Sequence, residues 1–264
     1  MLAGSTLSGA VAVDPARRFG GIERLYGAGT LACLAAARVA VVGIGGVGSW
    51  VIEALARSGV GMLRLIDPDN VAESNINRQI HALDDTLGQA KVTAMAARVY
   101  GIDPHCRVEM VEDFVTPENV ADLLHGTDVV VDAIDEVRAK AAIAAFCRDR
   151  RLPVLMAGGA GGKCDPRRIR VDDLARTVQD PLLSKVRARL RREYGFPRAG
   201  GGDFGIEAVY SDERLRRPDA CEGRAGGGPQ GLSCAGYGSS MAMTASVGLF
   251  IAACVIEHLL RKRS

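Results

Sequence analysis

Short apolar runs alternate with amphipathic stretches along residues 38–160. Residues 38–43 (RVAVVG) are apolar throughout after the first, as a parallel strand covered on both faces would be. The same pattern gives strands over 62–67, 107–111, 128–132 and 153–157. Helical stretches lie between them: 47–58, closed by Gly59; 86–100; 116–125, with Pro117 in its first turn; and 136–150. This alternation predicts an α/β fold, a doubly wound, Rossmann-like, mostly parallel sheet. Beyond Gly158 the rhythm loosens. Residues 182–194 form one more helix, with Leu183, Val186, Leu190 and Tyr194 on a single stripe. Residues 195–231 hold 10 glycines and prolines at 197, 218 and 229, which predicts a long mobile loop before a C-terminal extension.

Composition narrows the class. The chain has 264 residues, 48% hydrophobic and 24% charged, enough to bury a core and too apolar for disorder. A net charge of +2 excludes a polybasic protein, but the charge is uneven. Residues 165–198 carry ten basic and five acidic side chains. The 7 cysteines are scattered with no CxxC pair, so no zinc site is expected, and reduced thiols point to the cytoplasm. The first residues lack the basic and apolar regions of a secretory signal. Residues 225–256 have no charge at all. Their Gly, Ala, Ser and Thr content, and closure by Glu257 and His258, favour a buried or interface helix. Membrane association through 239–258 is the alternative.

The helix at 47–58 opens on Gly43-Ile-Gly45-Gly46-Val-Gly48, a GxGxxG directly after a strand. Such glycines permit a tight turn and let backbone N–H groups approach a phosphate at a helix N-terminus. Asp67 closes the next strand, where a carboxylate can accept ribose hydroxyls. Those features serve NAD as well as ATP. The discriminating residues come next: Asp69, then Asn75, Asn77, Arg78 and Gln79, then Lys91. Hydride transfer has no use for Asn, Arg and Lys gathered behind the ribose carboxylate. A triphosphate does, because they neutralise charge that develops on the phosphates.

In this order the motifs resemble those of adenylating enzymes of the ubiquitin-activating type, the HesA/MoeB/ThiF superfamily, over residues 17–160. The resemblance implies a nucleotide loop of Gly43, Gly45, Gly46 and Gly48, a ribose contact at Asp67, and phosphate contacts from Asn75, Arg78 and Lys91. In Asp132-Ala-Ile-Asp135 the second carboxylate looks like the family's magnesium-binding aspartate, with helix capping as its alternative role. The family usually has Asn after it; this chain has Glu136. An arginine supplied by the partner subunit of a homodimer is also usual. Arg24 is the candidate, with Arg18 as the alternative.

Members of the molybdopterin and thiamine branch carry CxxC zinc pairs, which this chain lacks. Asn77-Arg-Gln-Ile-His-Ala82, Asp113-Phe-Val-Thr-Pro117, Gly158-Gly-Ala-Gly-Gly162 and Cys234-Ala-Gly-Tyr-Gly238 look instead like the tRNA threonylcarbamoyladenosine dehydratase branch. That resemblance implies one adenylation domain over 17–264, with a nucleotide-binding core at 17–160 and a tRNA-facing part at 161–264. It implies dehydration of threonylcarbamoyladenosine at position 37 of tRNA, using ATP and magnesium, through an acyl-adenylate. Adenylation of the C-terminus of a ubiquitin-like sulfur carrier is the rival within the superfamily. An NAD-dependent oxidoreductase and a non-catalytic scaffold are rivals outside it.

A tRNA substrate needs a surface for phosphates. Lys185, Arg187, Arg189, Arg191 and Arg192 on the 182–194 helix are the candidates, and without aromatic neighbours they would contact backbone rather than bases. Cys234 is a candidate thiol, or a small residue packed in a turn, and a sulfur-relay partner belongs to the same picture. The 158–162 run could bind an anion or a monovalent cation through backbone groups, or simply turn the chain.

Overall fold

The computed structural model describes residues 14–216 and 237–261. Seven strands form one sheet: β1 (Arg38–Val42), β2 (Met62–Ile66), β3 (Arg107–Val111), β4 (Val129–Asp132), β5 (Val154–Ala157), β6 (Ile169–Asp173) and β7 (Glu207–Ser211). Their spatial order is β3-β2-β1-β4-β5-β7-β6. All neighbours are parallel except β6 and β7. The expected α/β doubly wound sheet is what forms. Its order reverses between β1 and β4, so the crevice beyond their carboxyl ends is where such a sheet takes ligands. The apolar runs explain the burial: every residue of β4 and β5, and all of β1 after Arg38, is buried.

Among the described residues eight α-helices accompany the sheet: α1 (Pro15–Tyr26), α2 (Thr30–Ala36), α3 (Gly48–Arg57), α4 (Lys91–Ile102), α5 (Val120–Leu123), α6 (Val137–Arg150), α7 (Pro181–Glu193) and α8 (Met241–Arg261). One core joins α3, α4 and α8 to one face; the other joins α6 and α7 to the opposite face. Helix α8 is long and apolar enough to cross a membrane, yet more than half of its most apolar window is buried. It lies hard against α3, since a Cβ on Gly248 would sit 2.7 Å from the Val47 carbonyl oxygen. Only a glycine lets the two backbones approach so closely.

Several boundaries differ from expectation. The helix expected from residue 86 begins at Lys91, because Gly88 is left-handed (φ 81°) and its N–H goes to Val71 O at 2.9 Å. The helix at 116–125 shrinks to α5, because Thr116 Oγ1 accepts the N–H groups of Glu118 and Asn119 in a turn. The 195–231 stretch is not a loop throughout: β7 lies within it, between β5 and β6. Phe196 and Phe204 pack edge to face at 4.9 Å, and the Arg148 guanidinium lies 3.8 Å over the Phe196 ring. These contacts hold the approach to β7 in place. Residues 217–231 of that stretch lie outside the described residues, as does Cys234.

Candidate functional site

The 43–48 loop joins the carboxyl end of β1 to α3. A Cβ on Gly48 would lie 1.8 Å from the Gly43 carbonyl oxygen, and one on Gly43 (φ 88°) would lie 2.8 Å from Ile134 Cγ2. These two glycines are therefore obligatory, and they bring the loop against residues 133–134 after β4. Gly46 faces Arg78: a Cβ there would meet the Arg78 side chain at 3.3 Å and Thr244 Cγ2 at 3.1 Å. Thr244, in the first turn of the apolar helix α8, thus borders the loop. A Cβ on Gly45 would lie 3.9 Å from Gln79 Nε2.

Asp67, at the end of β2, is buried and serves the loop directly. Its Oδ2 accepts the N–H of Ile44 at 2.6 Å and its Oδ1 that of Asp69 at 2.9 Å. Burial raises its pKa, while the Lys91 ammonium acts to lower it. Lys91 Nζ lies 2.7 Å from Asp69 Oδ2 and 3.6 Å from Asp67 Oδ1. The buried lysine is thus held at the end of β2 by two acids. Asn75 is also buried, its Oδ1 accepting the Ala72 N–H at 3.0 Å. Among the described residues the Arg78 guanidinium donates only to its own turn, to Ser74 O at 2.7 Å and Asn77 Oδ1 at 3.0 Å. Trp50 of α3 fixes that turn through Arg78 O at 2.9 Å.

Asp135 follows β4 and is half-buried. The capping role considered for it falls to its neighbour: the Glu136 carboxylate accepts the N–H groups of Arg138 and Ala139 at 2.8 and 2.6 Å. The bend from Asp132 to Asp135 is clasped by Lys140, which is completely buried. Its Nζ lies 2.9 Å from Asp132 Oδ1 and 3.0 Å from Ile134 O. Sequence reasoning missed Lys140, because a lysine inside an alanine-rich helix looks like a surface residue. It also missed Thr244, whose place beside the loop arises only from folded proximity.

Polar atoms without partners cluster around the loop. Among the described residues, Ser49 Oγ, Gln79 Oε1, Asp132 Oδ2 and both ring nitrogens of His81 are buried and unpaired. Three of these four residues, Ser49, Gln79 and Asp132, sit beside the 43–48 loop or at the end of β4. Of these, Ser49 Oγ is a donor that a phosphate oxygen would satisfy, while Gln79 Oε1 and Asp132 Oδ2 are acceptors that need a hydroxyl, an amine or a water. No cluster of three or more His, Cys, Asp or Glu able to hold a metal occurs among the described residues. Magnesium shared between one carboxylate and nucleotide phosphates needs no such cluster, so Asp135 fits that role.

Two expected groups do not join the site. Arg18 and Arg24 lie on α1, exposed; Arg18 bonds Ile102 O at the end of α4, and Phe19 packs on Gly59 beyond the far end of α3. On α7 the arginines divide. Arg187 bonds Thr177 Oγ1, and Arg191 donates to Pro197 O at 3.0 Å while lying over Phe204. Arg189 and Arg192 both pair with Glu193, and Lys185 is exposed.

The chain is similar to characterised proteins over nearly its whole length. A tRNA threonylcarbamoyladenosine dehydratase of Haemophilus influenzae is 47% identical over 250 residues, covering 94% of this chain and 95% of its own. One of Escherichia coli is 48% identical over 253 residues, 93% of each chain. The crystal structure of E. coli tRNA N6-threonylcarbamoyladenosine dehydratase in complex with ATP matches with a TM-score of 0.85 at 45% identity, covering 94% of this chain and 96% of that one. The ThiF family profile matches residues 21–263, and the chain belongs to the ThiF family.

Proposed function

We infer that this chain catalyses the ATP-dependent dehydration of threonylcarbamoyladenosine at position 37 of tRNA. The observation that carries this reading is the 47% identity, over 94% of the chain, to an enzyme named for that reaction. The site supports it. A threonine carboxylate is a poor electrophile, so a carboxylate oxygen attacks the α-phosphorus of ATP and pyrophosphate leaves. The carbamoyl group then attacks the acyl carbon through nitrogen or oxygen, and AMP departs with the former carboxylate oxygen. The sum is loss of one water. Ring closure is intramolecular, so the protein need only position groups and stabilise phosphate charge.

In this reading Asp67 holds the ribose, and the backbone of the 43–48 loop cradles phosphate at the start of α3. Asn75, Arg78 and Lys91 contact the phosphates. Magnesium, held by Asp135 and the phosphates, supplies further charge neutralisation. Arg24, remote from its own loop, would reach the site of a second copy in a homodimer. Lys185, Arg189 and Arg192 would meet tRNA phosphates, while Arg187 and Arg191 buttress α7. Residues 161–264 serve as the tRNA-facing part of one adenylation domain, working in the cytoplasm. Cyclisation needs no thiol, so neither Cys234 nor a sulfur-relay partner is required for the chemistry. A monovalent cation would be taken by backbone groups of the 158–162 turn.

The test is isotope exchange between pyrophosphate and ATP. Exchange that depends on tRNA carrying threonylcarbamoyladenosine is expected. Exchange that depends on a carrier protein with a glycine C-terminus would replace this reading with the sulfur-carrier one.

A further inference from the structure

Helix α6 starts directly behind the bend that carries Asp135, and it holds a lysine in the core. Lys140 and Asp132 are both fully buried, with the ammonium 2.9 Å from Oδ1. The other carboxylate oxygen, Oδ2, is buried and has no hydrogen-bond partner among the described residues. Burying two charges is costly, and replacing such a pair by neutral groups of similar volume is often neutral or stabilising. The pair is therefore a poor device for stability alone. The other bonds of the ammonium show what else it does.

They go to the main chain of the bend. Lys140 Nζ donates to Ile134 O at 3.0 Å and to Asp132 O at 3.4 Å, so among the described residues its bonds all end on residues 132–134. The same bend lies against the 43–48 loop. A Cβ on Gly43 would be 2.9 Å from the Ala133 carbonyl carbon, and one on Gly48 would be 3.4 Å from Ala133 Cβ. The Ala133 N–H donates to Val42 O at 2.8 Å, which ties the bend to the end of β1. On the other side of Asp135, Glu136 caps α6 through Arg138 N and Ala139 N. Asp135 thus sits between a clamped bend and a capped helix, carried beside the nucleotide loop. An apolar side chain at position 140 could hold neither carbonyl.

We propose that Lys140 is a positioning residue for magnesium: by holding the carbonyls of Asp132 and Ile134 it sets the place of the Asp135 carboxylate beside the nucleotide loop. The proposal rests on the reading of Asp135 as the magnesium aspartate. Magnesium demands near-ideal octahedral geometry and tolerates little displacement of a ligand. Groups that orient a metal ligand are accordingly worth about 10–100-fold in metal affinity. Nucleotide held by loop backbone, Asp67 and Lys91 makes no such demand on the bend. Lys140 touches no substrate; it governs the metal's share of ATP affinity and leaves the metal-free share alone.

The test measures ATP binding to the full chain by calorimetry, in EDTA and in excess magnesium. It compares wild type, D135A and the charge-free double variant K140M/D132N, with unfolding midpoints recorded for each. Wild type is expected to bind ATP more tightly with magnesium, and D135A to lose most of that gain. The double variant is expected to keep its affinity in EDTA within about twofold and to lose about tenfold of the magnesium gain. K140Q/D132N, whose amide can still donate to one carbonyl, is expected to fall between, and it carries the comparison if K140M/D132N does not fold. Folded double variants that keep the whole gain while D135A loses it would overturn the proposal and leave the reading of Asp135 standing. A wild type without the gain, or a D135A that keeps it, would overturn both. Failure of both double variants to fold would make Lys140 a folding residue and also overturn the proposal. The measurement needs no tRNA, so its outcome is independent of the proposed reaction.

Discussion

Two glycine-rich turns leave the same edge of one sheet, and they are built to opposite ends. The turn after β1 is surrounded by buried polar atoms without partners, Ser49 Oγ, Gln79 Oε1 and Asp132 Oδ2 among them. The turn after β5 is satisfied internally: Gly158 N goes to Val209 O, Gly159 N to Asp180, and the adjacent Lys163 to two carbonyls. Glycine content alone does not separate the two. The state of the surrounding hydrogen bonds does, and it marks the first as a place for a ligand and the second as scaffold.

Substitutions can break that contrast. The largest effect is expected from Gly48→Ala, whose Cβ would collide with the Gly43 carbonyl oxygen at 1.8 Å. It should destabilise the fold by more than about 3 kcal/mol and abolish ATP binding, read by denaturant unfolding and calorimetry. Lys140→Met leaves the fully buried Asp132 without its partner. A loss of about 3–5 kcal/mol is expected, largely restored by adding Asp132→Asn. Failure of the double variant to recover would mean that Lys140 acts by shape rather than charge.

Arg78→Met should lower kcat/KM by about 100-fold with little change in unfolding midpoint, since among the described residues Arg78 donates only within its own turn. His81 gives a pH signature. Burial, helped by the charges of Lys91 and Arg98, lowers its pKa from 6.5 to about 4. The unfolded chain gains this proton as pH falls through 6.5, and the folded chain does not until about 4. Stability is therefore lost across that window, by about 2 kcal/mol at pH 5. His81→Phe should flatten this acid limb in unfolding titrations. The smallest effect belongs to the second turn: among the described residues, a Cβ from Gly161→Ala meets only Tyr237 Cβ, at 3.6 Å. It should change stability by under about 0.5 kcal/mol.

The central sheet was legible because β1, β2, β4 and β5 are nearly continuous apolar runs, which a parallel sheet covered on both faces requires. The strands missed, β6 and β7, are short and lie among charges and glycines. Strand β6 is an edge strand, with Arg170 and Val171 exposed, so no apolar run announces it. Helices α1 and α2 were missed for a similar reason, the glycines between them hiding two short amphipathic pieces. At the site, the glycine loop, Asp67, Asn75, Arg78, Lys91 and Asp135 were legible as a spaced motif. Thr244, Lys140 and Lys163 were not, because each acts on a segment distant in sequence. Of the five α7 cations, Lys185 is the one exposed without a partner among the described residues, and the rest are committed to local contacts.

The central claim is tested most directly by the mass of one nucleoside. Transfer RNA carrying uncyclised threonylcarbamoyladenosine, incubated with this protein, ATP and magnesium, should yield a position-37 nucleoside lighter by one water, with AMP formed in equal amount. An unchanged nucleoside mass, with ATP bound but not consumed, would contradict the account.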